Sequence, residues 1–143
     1  MQSEVPWDNF ALVAILRGVL PERVVGVADV VYAAGFRVIE VPLNSPDPFK
    51  SITALAARAK PDCWVGAGTV LNAEDVRRTH AAGGRLIVAP NVDAEVISEA
   101  IRLKMQIVPG IATPSLQLNI LENEKDSMPW PIIMRAQCRI VLV

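Results

Sequence analysis

The sequence predicts an α/β fold of about five repeated strand–helix units, an incomplete (β/α)8 TIM barrel. Five short apolar runs alternate with segments whose apolar residues recur at helical spacing. Each run ends in a polar or glycine-rich tip, and the tips recur about every 20–30 residues, as expected for one repeated unit. Aromatic residues make up only 5% of the chain. A core of aliphatic side chains is therefore expected, as in buried parallel strands covered by helices.

The predicted strands are short runs rich in Val, Ile, Leu and Ala. They are residues 12–16, 37–43, 64–66, 86–89 and 106–108. Right-handed crossovers would place the carboxyl ends of all these strands on one side of the sheet. In a barrel that side carries the active site, so the tips are where functional residues are expected.

The predicted helices begin and end at recognisable capping residues. Pro21 suits the first turn of a helix, and Gly35 suits a helix C-terminus. Asn72, followed three residues later by Asp75, is a typical N-cap, and Asp93 starts the last of the helices. The four helices are predicted at residues 21–34, 47–60, 72–82 and 93–103.

The repeat stops at Pro114, and the sequence after it follows neither period cleanly. We therefore divide the chain into residues 1–114, the N-terminal part of a barrel, and residues 115–143, a divergent tail. Residues 140–143 could form a strand. Five strands cannot close a barrel, so two free sheet edges and much exposed apolar surface are expected. A doubly wound open sheet is the alternative, but residues 17–21 lack the glycine fingerprint that it would need.

Composition and charge argue against several classes of function. The net charge is −1 and no basic block exists, so neither nucleic acid nor an anionic membrane is an expected partner. No apolar run is long enough to cross a bilayer, and residues 1–10 do not resemble a signal peptide. Cys63 and Cys138 have no metal or redox spacing, which favours a reduced, cytoplasmic compartment.

Glu40 is the first candidate for chemistry because it lies inside an apolar strand. A carboxylate in such a run costs free energy unless it is paired or lines a polar cavity. Facing the barrel interior near its mouth, Glu40 would have a raised pKa suited to moving protons near neutral pH. The other interpretation is a glutamate on an edge strand that faces water or pairs with Arg17 or Arg37.

Three further tips carry candidate binding residues. Arg17 could hold a carboxylate or phosphate through two parallel hydrogen bonds, although a solvated arginine is the commoner case. Thr69 offers a hydroxyl after two glycines that let the backbone approach a ligand, and Pro90 shapes the rim after the fourth strand. Turn chemistry alone would also explain each of these tips. His80 is the only histidine, so histidine-based triads and histidine-rich metal sites are disfavoured.

Taken together, the tips resemble the 2-keto-3-deoxy-6-phosphogluconate / 2-keto-3-deoxy-6-phosphogalactonate aldolase family. The resemblance covers about residues 10–114, and the tips at Arg17 and after Glu40 favour the phosphogalactonate branch. The segments that match in order and spacing are residues 14–18, 33–36, 39–46, 66–71, 86–91 and 109–113.

The resemblance implies a class I aldolase on a (β/α)8 barrel, usually a homotrimer, that needs no metal or other cofactor. A lysine would form a Schiff base with a 2-keto-3-deoxy-6-phospho sugar acid, and cleavage would release glyceraldehyde 3-phosphate and pyruvate. Glu40 matches the family's proton-shuttling glutamate. Arg17 and Thr69 match positions that hold the carboxylate end of the substrate, and Pro90 is a further candidate for substrate binding.

The sequence departs from the family where the Schiff-base lysine is expected. Lys125 is near in count, but it lies in a charged run rather than at the end of an apolar strand. We identify no Schiff-base lysine, and we expect the chain to have little or no activity. The alternatives are a non-catalytic truncated fragment that needs a partner chain, and another barrel phosphosugar enzyme with its own acids or lysine at the tips.

Overall fold

The computed structural model describes residues 12–110 and the backbone of residues 139–142. Strands and helices alternate throughout the first range, which confirms the repeated strand–helix unit. The elements are β1 (Leu12–Ile15), α1 (Pro21–Ala33), β2 (Val38–Pro42), α2 (Pro48–Arg58), β3 (Trp64–Gly68), α3 (Ala73–Ala81), β4 (Leu86–Ala89), α4 (Ala94–Arg102), β5 (Gln106–Pro109) and β6 (Arg139–Leu142). Across the part of the chain that the structure describes, every helix is too short or too polar to cross a bilayer.

The strands form one parallel sheet in the order β5-β4-β3-β2-β1-β6. The first five strands are neighbours in chain order, as in the wall of a barrel. β6 pairs with the outer edge of β1, with Leu12 opposite Arg139 and Ile15 opposite Leu142. The strand considered for residues 140–143 is therefore present, one residue earlier than predicted. The expectation of a free edge at β1 is wrong, because backbone hydrogen bonds to β6 occupy that edge.

The four helices of residues 12–110 pack on one face of the sheet. Ile39 and Val41 of β2 belong to a core cluster that includes Val24 of α1, Ile52 of α2 and residues of α3 and α4. A doubly wound sheet would have helices on both faces. Within residues 12–110 the arrangement is one-sided, as in a barrel-type fold and not as in that alternative.

The opposite face of the sheet, called the inner face below, has its own apolar cluster. Val13, Val38, Trp64 and Leu86 form this cluster, and all four are buried. The expectation of much exposed apolar surface is therefore wrong for these four side chains. Because side chains alternate along a strand, Glu40 projects from β2 to the same face as Val38.

Local sequence explains where the helices begin and end. The side chain of Asn72 accepts a hydrogen bond from the Asp75 N–H at 2.8 Å, and Asp93 caps α4 in the same way. Gly35 directly follows Ala34, the C-cap residue of α1, and has a φ of 101°, as predicted for a glycine at a helix C-terminus. α2 is shorter than predicted, because Asp47 adopts a left-handed conformation and Ala59 is already extended.

Ser51 in α2 is fully buried, and its hydroxyl has no hydrogen-bond partner within residues 12–110. The substitution Ser51→Ala is therefore expected to raise the free energy of unfolding by about 1 kcal/mol, because it removes an unsatisfied buried hydroxyl. Thr79→Val is the matched control. The Thr79 hydroxyl is equally buried but donates to the Asp75 carbonyl at 2.7 Å, so its loss should destabilise. Urea denaturation measures both, and a less stable Ser51→Ala variant would contradict the expectation.

Candidate functional site

The carboxyl ends of β1, β2 and β3 are joined side by side. Ile15 is in register with Glu40, and Glu40 is in register with Gly66. Beyond these pairs, the Leu16 N–H donates to the Glu40 carbonyl and the Leu43 N–H donates to the Gly68 carbonyl, each at 2.9 Å. The tips that carry the three candidates Arg17, Glu40 and Thr69 are thus adjacent.

Glu40 is a buried carboxyl group in the middle of the sheet. It is 4% exposed, and its Oε2 atom has no hydrogen-bond partner within the described residues. Burial raises the pKa of Glu40 from 4.5 to about 7, and the positive charge of Arg17 acts in the opposite direction. A group with this pKa can both accept and release a proton near neutral pH.

The interpretation of Glu40 as a water-facing glutamate on an edge strand is wrong. β2 lies between β1 and β3, so Glu40 is not on an edge strand, and its side chain is hidden from water. Arg17 acts on Glu40 through its charge, without a hydrogen bond in the described residues. Arg37 is bound to Asp62 at 2.9 Å, and its Nη1 atom donates to backbone carbonyls.

Gly68 makes room for the Glu40 carboxyl group, a role that sequence reasoning missed. A Cβ atom added to Gly68 would fall on the Glu40 Oε2 atom. The sequence predicts that the third strand ends at Gly66, but β3 continues to Gly68. The close approach of this tip to a ligand stays a prediction. The signal in the sequence was a pair of glycines on the strand next to a buried carboxylate.

Thr69 has an unusual backbone conformation at the end of β3. Its φ is 58°, in the left-handed region that β-branched residues rarely adopt, and its side chain is half-buried. The following residue holds the tip, because the Val70 N–H donates to the Val88 carbonyl at 3.2 Å. Such conformations persist only where the surrounding structure imposes them, and they cluster at binding sites.

Arg17 and Pro90 lie at the exposed rim. Arg17 Nη1 is 3.4 Å from the Asn44 Oδ1 atom, and within the described range no hydrogen bond joins Arg17 to Glu40. Pro90 follows β4 and is exposed, and its carbonyl lies where a Cβ atom on Gly110 would fall. Glu40 therefore lies on β2, Arg17 and Thr69 follow the neighbouring strands β1 and β3, and Pro90 follows β4.

The described lysines lie away from the inner face. Lys50 is an exposed residue of α2 that pairs with Glu22 at 3.5 Å, and Lys60 and Lys104 are exposed in connecting segments. Lys125 lies outside the described residues. In residues 12–110, no three His, Cys, Asp or Glu side chains come together in a way that could hold a metal ion.

Within the described residues, the parallel sheet has its helices on one face and a buried carboxyl group at its carboxyl end, which defines part of a (β/α)8 barrel. Residues 8–122 match the family model described as KDPG and KHG aldolase. The match covers most of the chain, and the chain belongs to this family.

Two curated relatives and one solved structure show the similarity in detail. The chain is 48% identical over 104 residues to a probable 2-dehydro-3-deoxy-6-phosphogalactonate aldolase of Rhizobium meliloti, covering 73% of this chain and 49% of the relative. It is 40% identical over 111 residues to the 2-dehydro-3-deoxy-6-phosphogalactonate aldolase of Escherichia coli, covering 78% and 54%. A solved structure described as native KDPGal has a TM-score of 0.75 and 38% identity, covering 85% and 57%. The chain thus spans about half the length of the curated relatives it matches.

Proposed function

We propose that this chain carries the keto-acid half of a class I aldolase site, which acts on a 2-keto-3-deoxy-6-phospho sugar acid. The observation that carries the proposal is the burial of Glu40, which raises its pKa to about 7 while the charge of Arg17 at the rim acts on it. The phosphogalactonate acid is the favoured substrate. Relatives named for it are 48% and 40% identical, whereas one named KHG/KDPG aldolase is 33% identical.

Glu40 is proposed to move the protons of the reaction. In aldol cleavage, a lysine amine first condenses with the 2-keto group and releases water. A base then removes the proton of the C4 hydroxyl, and the C3–C4 bond breaks so that C4 leaves as the aldehyde of glyceraldehyde 3-phosphate. The electrons of that bond flow into the iminium and give an enamine of pyruvate. Protonation of the enamine carbon and hydrolysis release pyruvate. Glu40 can serve as the base and return the proton, because both of its charge states are populated near neutral pH.

Arg17, Thr69 and Pro90 are proposed to hold the substrate. A guanidinium fits the carboxylate of a keto acid through two parallel hydrogen bonds, and the Thr69 hydroxyl can donate to the same group. Pro90 would bound the site at the next strand. The resemblance to the intact family supports a cytoplasmic enzyme that forms homotrimers and uses no cofactor.

Pyruvate binding tests the proposal. Pyruvate is expected to shift the amide NMR signals of Gly18, Gly68 and Thr69, and Arg17→Ala should weaken its affinity about tenfold to a hundredfold, as for a charge-assisted hydrogen bond. Arg58→Ala, which removes an exposed arginine from the last turn of α2, is the control and should leave the affinity unchanged. Absence of binding to the parent protein, or equal losses in both variants, would refute the proposed site.

We expect this chain alone to cleave the sugar acid slowly or not at all, because its sequence offers no lysine in the setting that a Schiff base needs. Treatment with pyruvate and borohydride, followed by mass spectrometry, tests it. Unmodified protein is the expected result. A trapped pyruvate adduct on Lys125, or measurable pyruvate release from the sugar acid, would contradict it.

A further inference from the structure

The turn after β2 (residues 42–45), called the β2 turn below, holds a buried serine against the tip of β1. The Ser45 N–H donates to the Pro42 carbonyl at 2.9 Å and closes the turn. The Ser45 side chain is only 7% exposed, and its Oγ atom accepts a hydrogen bond from the Gly18 N–H at 3.1 Å. Gly18 has a φ of 73°, a conformation that favours glycine. A hydroxyl from a distant part of the chain therefore fixes the backbone directly after Arg17.

The β2 turn also contacts the tips on both of its sides. Asn44 Oδ1 lies 3.4 Å from the Arg17 Nη1 atom, and the Leu43 N–H donates to the Gly68 carbonyl at 2.9 Å. The turn thus connects the strand end before Arg17 to the strand end before Thr69. These contacts join residues that are far apart in sequence, so they form only when β1, β2 and β3 are paired in the sheet.

Arg17 needs such support because it is exposed and has a long side chain. An unrestrained arginine loses conformational entropy when it binds a ligand, and this loss lowers the affinity. A fixed backbone at Gly18 and an amide oxygen beside the guanidinium both restrict the side chain before the ligand arrives.

We propose that Ser45 and Asn44 are positioning residues that hold Arg17 over the carboxyl end of β2, ready for the carboxylate of a keto acid. This inference rests on the proposed function for the identity of the ligand. The position of the Arg17 side chain is a property of the protein without ligand, so it can be measured independently of pyruvate binding.

The first test uses Glu40 as a sensor of where the Arg17 charge lies. The titration midpoint of the Glu40 carboxyl group is followed by carbon-13 NMR in the parent, in Arg17→Ala, in Ser45→Ala and in the double variant. Removing the Arg17 charge should raise the midpoint, because that charge favours the ionised carboxylate. Ser45→Ala should raise it in the same direction, and the double variant should show no further rise, because both changes remove one interaction.

Ser51→Ala is the matched control, since it removes another buried serine hydroxyl that has no partner in the described range. It should leave the Glu40 midpoint unchanged. Hydrogen exchange of the Gly18 amide should accelerate about tenfold in Ser45→Ala and stay constant in the control. An accelerated Gly18 amide with an unchanged Glu40 midpoint would overturn the proposal, because Ser45 would then hold only the loop.

Asn44→Ala is the second variant and serves if Ser45→Ala does not fold, because Asn44 is exposed and its replacement should not disturb folding. It too should raise the Glu40 midpoint, by less than Arg17→Ala, and an unchanged midpoint would overturn the role of Asn44. Pyruvate affinity should fall in the order parent, Asn44→Ala, Arg17→Ala. If the parent binds no pyruvate while the midpoints move as expected, the proposed function fails and the positioning of Arg17 stands.

Discussion

Replacing Gly68 with alanine is expected to force the Glu40 carboxyl group out of its buried position. The new methyl group would occupy the place of the Glu40 Oε2 atom, so either the side chain or β3 must move. Overpacking of this kind lowers the free energy of unfolding by about 1–3 kcal/mol. If the carboxyl group moves towards water, its pKa should also fall towards the ordinary value of 4.5.

Gly26→Ala is the matched control for this change. Gly26 is an exposed residue of α1, and a Cβ atom there would meet nothing within 4 Å. In a helix interior, alanine is more favourable than glycine by about 1 kcal/mol, so this variant should be more stable than the parent. Urea denaturation and an NMR titration of Glu40 measure both effects. A Gly68→Ala variant with parental stability and an unchanged Glu40 midpoint would show that the carboxyl group does not occupy this space.

The stability of the protein is expected to fall as the pH rises from about 4.5 to about 7. Glu40 has a pKa of about 7 in the folded state and 4.5 as its ordinary value. Below the lower value both states bind the proton. Between the two values only the folded state retains it, so each rise in pH favours unfolding. The free energy of unfolding should decrease by about 3 kcal/mol across this range and then become constant with respect to Glu40.

Glu40→Gln removes this dependence, because an amide has no proton to lose in this range. The variant should therefore be more stable than the parent at pH 8 and close to it at pH 4. Urea denaturation at several pH values gives both curves. Glu95→Gln, on the first turn of α4, is the control and should keep the parental fall. Parallel curves for the parent and Glu40→Gln would show that Glu40 titrates alike in the folded and unfolded states.

Much of the fold can be predicted from the sequence because helix caps and apolar runs act locally. Asn72 and Asp93 mark helix starts through hydrogen bonds to residues that follow within three positions. The end of β3 could not be predicted in this way. Glycine is unfavourable within strands, so the predicted strand ends at Gly66 and Gly68 indicates a turn. Only the neighbouring strand, with its carboxyl group in the space beside Gly68, explains why glycine continues the strand.

A residue of the candidate site can be predicted from the sequence where its own strand makes it unusual. An acidic residue among aliphatic neighbours was sufficient to single out Glu40. Asn44 and Ser45 belong to a segment that matches the family, but the sequence assigns them no role, because a proline-rich segment after a strand is typical of any turn. Their contacts with Arg17 and Gly18 join positions 27 residues apart, and no local pattern records them. The left-handed backbone of Thr69 also runs against its own β-branched preference, so it follows from the surrounding structure rather than from the residue.

The pairing of β6 with β1 has a mechanical consequence. These strands are parallel, and residue 12 is opposite residue 139 while residue 15 is opposite residue 142. Tension applied between residues 12 and 142 would pull the two strands past each other along their length. Their backbone hydrogen bonds, evenly spaced as in any parallel ladder, would then share the load together instead of breaking one after another. Stretching along this axis therefore meets its main resistance at the β1–β6 pair, before the force reaches the strands that carry Glu40 and Thr69.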